Sequence, residues 1–339
     1  MKIAVLGAGS WGGALSMVLA QNQHEVWLWS PNQDEIDKIA QTRRLLHKLP
    51  EVVLPESIHP EVDPSRFLRD VEMLVVAVPS KYIRSFGESF APHILGAPKV
   101  VVSATKGLEV NTLSTMSAVL EETWRMPLHN ELLSGIVALS GPSHAEEVAR
   151  YLPTAVVAAC PNPALAECTQ AAFQTPRFRV YTHTDRVGVE IGAALKNVLA
   201  VAVGISDGLG FGDNARAALI SRGLYELSQI GVRMGAKLET FAGLSGMGDL
   251  VVTCTSRHSR NRRFGELLAR GYDTDNAEEE IGMVVEGIST VQAVPGLVEQ
   301  HRVEMPIAQE VFRIVMENAD PRQSVENLMM RQSKPEQLF

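Results

Sequence analysis

A glycine-rich turn between an apolar run and a helix-forming run constrains this chain more than any other feature. Lys2-Ile3-Ala4-Val5-Leu6 is short and apolar, Gly7-Ala8-Gly9-Ser10-Trp11-Gly12 follows directly, and Ala14 to Ala20 carries helix formers. Strand, G-x-G-x-x-G, helix is the order of a dinucleotide-binding βα unit. Gly7 permits the tight turn, Gly9 lets the backbone approach a pyrophosphate, and Gly12 lets the helix pack on the strand. The amides opening the helix point at the phosphates, and the helix dipole favours negative charge there. Glycine-rich turns are common, so position matters. This one follows a strand, and a second apolar run, Glu25-Val26-Trp27-Leu28-Trp29, comes one helix later.

The first half of the chain continues in the same manner. Met73 to Val78, Val100 to Ala104 and Gly135 to Ser140 are near-continuous apolar runs, which suit a parallel sheet covered on both faces. Thr154 to Ala159 and Phe178 to Tyr181 read as further strands at one side. Beyond about residue 183 the strand signals fade and helical periodicity takes over, as in Asn214 to Ile230, Thr290 to Val298 and Ile307 to Met316. The fold class expected is α/β, an N-terminal Rossmann-type doubly wound sheet followed by a mostly α-helical C-terminal domain. The boundaries are 1–183 for the dinucleotide domain, 184–333 for the helical substrate domain and 334–339 for a loose tail. At 339 residues the chain is long enough for both cores.

A formal net charge of −8 argues against nucleic acid as a general partner, since a phosphate backbone needs a basic face. A local cationic pocket for a small anion is compatible with it. The three cysteines, Cys160, Cys168 and Cys254, form no C-x-x-C pair, and an odd count fits a reduced compartment. The N-terminal apolar run is too short for a secretory signal. The longest apolar stretch, Ile191 to Ile205, contains Lys196 and Asn197 and is too short and polar for a comfortable membrane span. A cytoplasmic protein without a membrane or nucleic-acid partner is expected. The helical domain offers a surface for a homodimer, although no residue marks one.

Ligands of open α/β sheets bind beyond the carboxyl ends of the strands. Those ends gather Gly7 to Trp11, Ser30-Pro31, Val78-Pro79-Ser80, Thr105-Lys106-Gly107 and Ser140-Gly141-Pro142-Ser143. Lys106 is the only cation of this set directly following an apolar strand; a solvated loop lysine is the alternative. The second strand ends without the acid that NAD-selective sites use for the ribose hydroxyls. Ser30-Pro31-Asn32 stands there, with Asp34 and Glu35 a little later. Such a site does not repel a 2′-phosphate, so NADP is permitted beside NAD, and NADPH is favoured. Arg43 and Arg44 could reach that phosphate, with surface positions as the alternative.

The helix around Ile191 to Val203 is apolar on every side, which marks it as buried. Burying Lys196 within it costs several kcal/mol unless it is paired, and lowers its pKa. That suits a proton-transfer group near neutral pH; a lysine snorkelling to an edge is the alternative. Gly246-Met247-Gly248-Asp249 and the stretch Thr253 to Arg263 follow, the latter mixing hydroxyls, an amide and guanidinium groups suited to a phosphate. His258 lacks partners at metal-ligand spacing, so no metal is assigned. Val284-Val285-Glu286-Gly287 reads as an ordinary loop by composition.

Taken in order, these segments resemble the bacterial NAD(P)-dependent sn-glycerol-3-phosphate dehydrogenases. The matching pieces are Gly7 to Gly12, Ala104 to Glu109, Ser140-Gly141-Pro142-Ser143 with Ala145, Ala194 to Val198, Gly243 to Leu250, Ser259-Arg260-Asn261 and Val285-Glu286-Gly287. The resemblance implies reversible reduction of dihydroxyacetone phosphate to sn-glycerol 3-phosphate, supplying glycerophospholipid synthesis. It implies Lys196 as proton acceptor. Substrate contacts would come from Lys106, Gly141, Ser143, Lys196, Asn197, Asp249, Ser259, Arg260 and Asn261. Cofactor contacts would come from Gly7, Gly9, Ser10, Trp11, Gly12, Pro31, Lys106, Ala145, Arg260, Val284 and Glu286. Pro31 departs from the basic or polar residue frequent there, and Ser143-His144 replaces the frequent Thr-Phe while keeping the hydroxyl. A 2-hydroxy-acid dehydrogenase of the same architecture and a catalytically dead nucleotide sensor are the rival readings. The phosphate-suited cluster speaks against the first, and Lys196 in its apolar helix against the second.

Overall fold

The computed structural model describes residues 1–46, 48–94, 100–124, 135–333 and 335–336. Most of the tail expected at 334–339 lies outside these residues. The chain forms two compact units, Met1–Thr105 with Met116–Arg186, and Lys106–Thr115 with Val187–Phe339.

The first unit carries strands β1 (Lys2–Leu6), β2 (Glu25–Trp29), β3 (Arg44–Leu45), β4 (Leu49–Val53), β5 (Ile58–Glu61), β6 (Met73–Val76), β7 (Val100–Ser103), β8 (Val137–Ser140), β9 (Thr154–Ala159) and β10 (Phe178–His183). Its helices are α1 (Ser10–Gln21), α2 (Gln33–Thr42), α3 (Ile83–Phe90), α4 (Met116–Trp124), α5 (Ala145–Ala149) and α6 (Pro163–Phe173). Eight strands form one sheet in the order β10-β9-β8-β7-β6-β1-β2-β5, and β3 and β4 pair separately. β1 pairs in parallel with β2 on one side and β6 on the other, so the direction of winding reverses beside β1. Ligands of such sheets bind at this reversal. Side chains alternate across the sheet. Ile3 and Val5 pack with Leu15 and Leu19 of α1 on one face. Ala4 and Leu6 join Phe86, Phe90 and Trp124 on the other.

The sheet departs from the parallel expectation at one place, where β9 runs antiparallel to β8. A parallel return needs a crossover long enough to carry the chain back along the strand. Between β8 and β9 the only helix is the five-residue α5, too short for that. β5, unexpected from the sequence, occupies an edge of the sheet and contains Pro60. An edge tolerates a missing N–H, so proline masked the strand without preventing it.

The second unit is helical: α7 (Arg186–Gly208), α8 (Gly212–Arg233), α9 (Asp249–Thr255), α10 (Arg260–Ala269), α11 (Thr274–Ile281), α12 (Glu286–His301), α13 (Pro306–Glu317) and α14 (Pro321–Met329). α7 is buried without interruption from Gly188 to Ser206. It is long and apolar enough to cross a membrane, yet its apolar window is wholly buried inside the protein, as the central helix of a helical core would be. Residues 106–115, placed by sequence within 1–183, belong to this unit. Leu108 and Leu113 enter its core, where Leu113 lies against the backbone of Gly296.

Among the buried acidic side chains of this unit, Glu226 of α8 accepts hydrogen bonds from Ile307 N at 2.8 Å and Ala308 N at 3.2 Å, the opening amides of α13. Burial pushes its carboxyl up to about 7, against the pull of those two amides. An acid that holds its proton more tightly when folded loses stability as pH rises between its unfolded value, 4.5, and its folded one, about 7. At about 1.4 kcal/mol per unit the loss approaches ~3 kcal/mol. Glu226→Gln keeps an acceptor for α13 and removes this slope. Melting temperatures at pH 5 and pH 8 should therefore diverge more in the parent than in the variant; identical shifts would show that Glu226 does not titrate in this window.

Candidate active site

In the first unit the glycine-rich turn has the geometry its residues demand. Gly7 adopts φ +122°, and a Cβ there would lie 2.6 Å from the Ala77 carbonyl oxygen. A Cβ on Gly12 would strike the Gly7 carbonyl oxygen at 1.9 Å, so α1 abuts the turn only because position 12 lacks a side chain. Around Gly9 nothing lies within 4 Å of a built Cβ. Gly9 also caps α1 without a side chain, and the first turn of α1 carries no acid. The opening amides of α1 thus have neither a side-chain cap nor an acid in the first turn, beside a Gly9 whose Cβ position is open. This fits a pyrophosphate, which would satisfy those donors.

The neighbouring strand ends are tied to this turn. Trp11 Nε1 donates to Ala104 O at 3.1 Å, at the end of β7, and Thr105 Oγ1 donates to Val78 O at 2.7 Å, beyond β6. Ser10 Oγ donates to Lys48 O at 3.3 Å. Gly141, at φ +140°, closes against Val156, and Ser143 Oγ donates back to Gly141 O at 2.9 Å. Ala145 opens α5. Pro31 is exposed between β2 and α2. Arg43 spends its guanidinium on the carbonyls of Leu54, Pro55 and Ile58, and Arg44 donates to Pro50 O at 2.7 Å.

In the second unit the central feature is a buried carboxylate between two lysines. Lys196 pairs with Asp249 Oδ1, and Lys106 Nζ lies 2.9 Å from Asp249 Oδ2. Asp249 is 1% exposed and Lys196 6%. Thr253, one turn along α9, accepts from Lys196 Nζ at 2.9 Å and donates to Asp249 O at 2.6 Å. Burial pushes Lys196 down to about 8; the Asp249 carboxylate pulls it up and the Lys106 charge adds to the lowering. Burial alone would raise the Asp249 carboxyl, but the Lys106 and Lys196 ammoniums outweigh it and hold Asp249 below its ordinary value.

Close backbone approaches assemble this cluster. A Cβ on Gly192, one turn before Lys196, would meet Ser245 O at 2.6 Å, so the π-helical turn Leu244–Gly248 ahead of Asp249 lies directly on α7. Gly204 and Gly265 let α7 and α10 touch, with built Cβ atoms 1.9 Å from Arg262 O and 2.2 Å from Val201 O. That contact brings Asn261 Nδ2 to Asn197 Oδ1 at 2.8 Å, while Asn261 Oδ1 accepts from Gly287 N at 2.9 Å. Asn261 is thus occupied in joining α7, α10 and α12. Ser259 caps α10 by accepting from Arg262 N at 3.2 Å. Arg260 is exposed and donates to Val284 O at 3.0 Å. Arg262 is held by Asp207 at 2.7 Å and Glu266 at 2.8 Å. Glu286, read as part of a loop, opens α12.

Thr253 and Lys48 are the residues that sequence reasoning passed over as individual site members. Among the described residues no three His, Cys, Asp or Glu side chains gather as a metal site. Cys160 and Cys254 are buried, and burial pushes the Cys254 thiol up to about 12.

Comparison with known proteins adds an independent line. Residues 2–166 match the model of the NAD-dependent glycerol-3-phosphate dehydrogenase N-terminus, and 185–326 that of its C-terminus. A glycerol-3-phosphate dehydrogenase, NAD(P)+, of Enterococcus faecalis is 47% identical over 338 residues, 100% of this chain and 98% of the relative. Its counterpart from Lysinibacillus sphaericus is 46% identical over 99% of this chain and 98% of the relative. The crystal structure of glycerol-3-phosphate dehydrogenase from Coxiella burnetii superposes with a TM-score of 0.91 at 39% identity, covering 97% of this chain and 99% of that one. D-mandelate dehydrogenase, at 12% identity and a TM-score of 0.60, shares the fold alone.

Proposed function

The chain belongs to the NAD-dependent glycerol-3-phosphate dehydrogenase family, and from that premise we propose how its own residues conduct the reaction. It is an NAD(P)-dependent oxidoreductase that interconverts dihydroxyacetone phosphate and sn-glycerol 3-phosphate. The observation carrying the mechanism is the buried Lys196–Asp249–Lys106 cluster. Bound nicotinamide supplies hydride to substrate C2 in reduction and accepts it in oxidation. Lys196 gives its Nζ proton to the C2 oxygen as hydride arrives, and removes it again in reverse. A pKa of about 8 leaves it mostly protonated at neutral pH yet able to release the proton. Lys106 and Asn197 stabilise the negative charge developing on that oxygen. Asp249 has both oxygens committed to lysines, so its part is to hold the two ammoniums in place.

For the remaining residues the reading assigns cofactor contact to Gly7, Gly9, Ser10, Trp11, Gly12, Pro31, Lys106, Ala145, Arg260, Val284 and Glu286. Substrate contact falls to Gly141 and Ser143, and to Ser259, Arg260 and Asn261 around the phosphate. NADPH is accepted in preference to NADH, because β2 ends without an acid of its own to repel a 2′-phosphate. The odd number of cysteines, with no C-x-x-C pair, supports a reducing compartment such as the cytoplasm, and the assembly this reading expects is a homodimer, which sedimentation measures. Following absorbance at 340 nm with dihydroxyacetone phosphate and each reduced cofactor tests the whole reading. A tenfold preference for NADH would overturn the cofactor assignment and leave the mechanism standing.

Arg260 provides the sharpest test of substrate recognition. Charge-assisted bonds to phosphate contribute roughly 1.5–3 kcal/mol. Arg260→Ala should therefore lower kcat/KM for dihydroxyacetone phosphate at least about tenfold. Unphosphorylated dihydroxyacetone should be a poor substrate and lose less. Arg260→Lys should restore only part, since lysine lacks the bidentate fork. Equal losses on both substrates at unchanged cofactor KM would remove Arg260 from this role.

A further inference from the structure

The end of β2 is less bare than its sequence. Asn32 caps α2 by accepting from Glu35 N at 3.1 Å, which sets Glu35 in the first helical turn. From there the Glu35 carboxylate reaches back to the strand end, where Ser30 Oγ donates to its Oε2 at 2.8 Å. Its other oxygen pairs with Lys48 Nζ. Lys48 Nζ also donates 3.0 Å to Ala8 O, between the first two glycines of the turn. A cation is thereby held between the phosphate-facing turn and the strand end where a dinucleotide's adenosine ribose lies. Both side chains keep solvent access, Lys48 at 34% and Glu35 at 26%. The other cations of the segment, Arg43 and Arg44, are engaged with backbone carbonyls.

We propose that the Glu35–Lys48 pair discriminates between the two cofactors: Lys48 turns from Glu35 to the adenosine 2′-phosphate of NADPH, and Glu35 accepts from the free 2′-hydroxyl of NADH. The proposal rests on the reading of the first unit as the dinucleotide site. It explains how a chain with no acid at the carboxyl end of β2 takes either cofactor. A 2′-phosphate brings about two negative charges, which Glu35 repels and Lys48 attracts. A 2′-hydroxyl is a neutral donor that suits a carboxylate already oriented by Ser30. The ratio of affinities is then set by how firmly Glu35 retains Lys48.

Calorimetric titration with 5′-AMP and adenosine 2′,5′-bisphosphate, which differ only in the 2′-phosphate, tests this without turnover. Lys48→Met should weaken the bisphosphate at least about tenfold, as loss of a charge-assisted phosphate contact does, and leave 5′-AMP within about twofold. Lys48→Arg should keep most of the bisphosphate affinity. Glu35→Gln, nearly isosteric, should strengthen the bisphosphate and weaken 5′-AMP several-fold each. Equal weakening of both ligands by Lys48→Met would mean that Lys48 only braces the turn, and no change would exclude it from the subsite; either result overturns the proposal. A parent protein that binds neither nucleotide would instead overturn the dinucleotide reading, and the proposal with it.

Discussion

Replacing Lys196 with Met is expected to lower kcat by about 10²–10⁴, the usual contribution of a positioned general acid–base group, with the fold intact. Met keeps the length of the lysine stem and suits the apolar surroundings of α7. Asp249 retains Lys106 as its partner, so the variant leaves no bare buried charge. Circular dichroism and the melting curve should therefore match the parent closely or show a slight gain. The pH dependence separates lost chemistry from lost structure. In the parent, reduction draws on protonated Lys196 and should slow as pH passes about 8, while oxidation draws on the neutral amine and should quicken over the same range. Both limbs should vanish in Lys196→Met. A folded variant that keeps half of its activity would falsify the assignment.

Lys196 was legible in the sequence because its surroundings are local. Thirteen consecutive residues of one helix, apolar on every face, leave a lysine no outlet, and α7 is indeed buried along this stretch. The glycine-rich turn was legible for a similar reason. Gly7, Gly9 and Gly12 act on neighbours within a few residues, and the collisions a Cβ would cause at Gly7 and Gly12 follow from the turn itself. What the sequence concealed depends on partners far along the chain. Thr253 becomes a ligand of Lys196 only because Gly192 admits Ser245 against α7, and a threonine in a short apolar helix carries no mark of that. Asn261 bonds to Asn197 and Gly287 once Gly204 and Gly265 let two helices touch, a pairing that nothing in its own segment marks. Leu108 and Leu113 read as residues of the first half, yet they are buried in the second unit's core. Lys48 is an ordinary loop lysine until Ala8 and Glu35 meet it.

Asp249→Asn should damage both stability and catalysis, and the two losses have one cause. The amide preserves shape but removes the carboxylate charge with which both Lys106 and Lys196 pair. Breaking a buried pair from one side costs about 3–5 kcal/mol, because the abandoned charge stays desolvated. For a unit of this size that lowers the melting temperature on the order of 10 °C. Lys196 escapes part of the penalty by giving up its proton, since burial and Lys106 both press its pKa down and the carboxylate that raised it is gone. A base whose folded pKa lies below its unfolded value binds fewer protons when folded, so the variant regains stability as pH rises toward the ordinary lysine value. The same neutralisation removes the proton that reduction requires, so dihydroxyacetone phosphate reduction at pH 7 should fall at least about a hundredfold. Adding Lys106→Met to Asp249→Asn removes the second cation beside Lys196 and should restore part of the melting temperature without restoring the rate. If Asp249→Asn melted with the parent and reduced substrate within twofold of it, the carboxylate would hold neither lysine, and the proton-transfer role of Lys196 would have to rest on its burial alone.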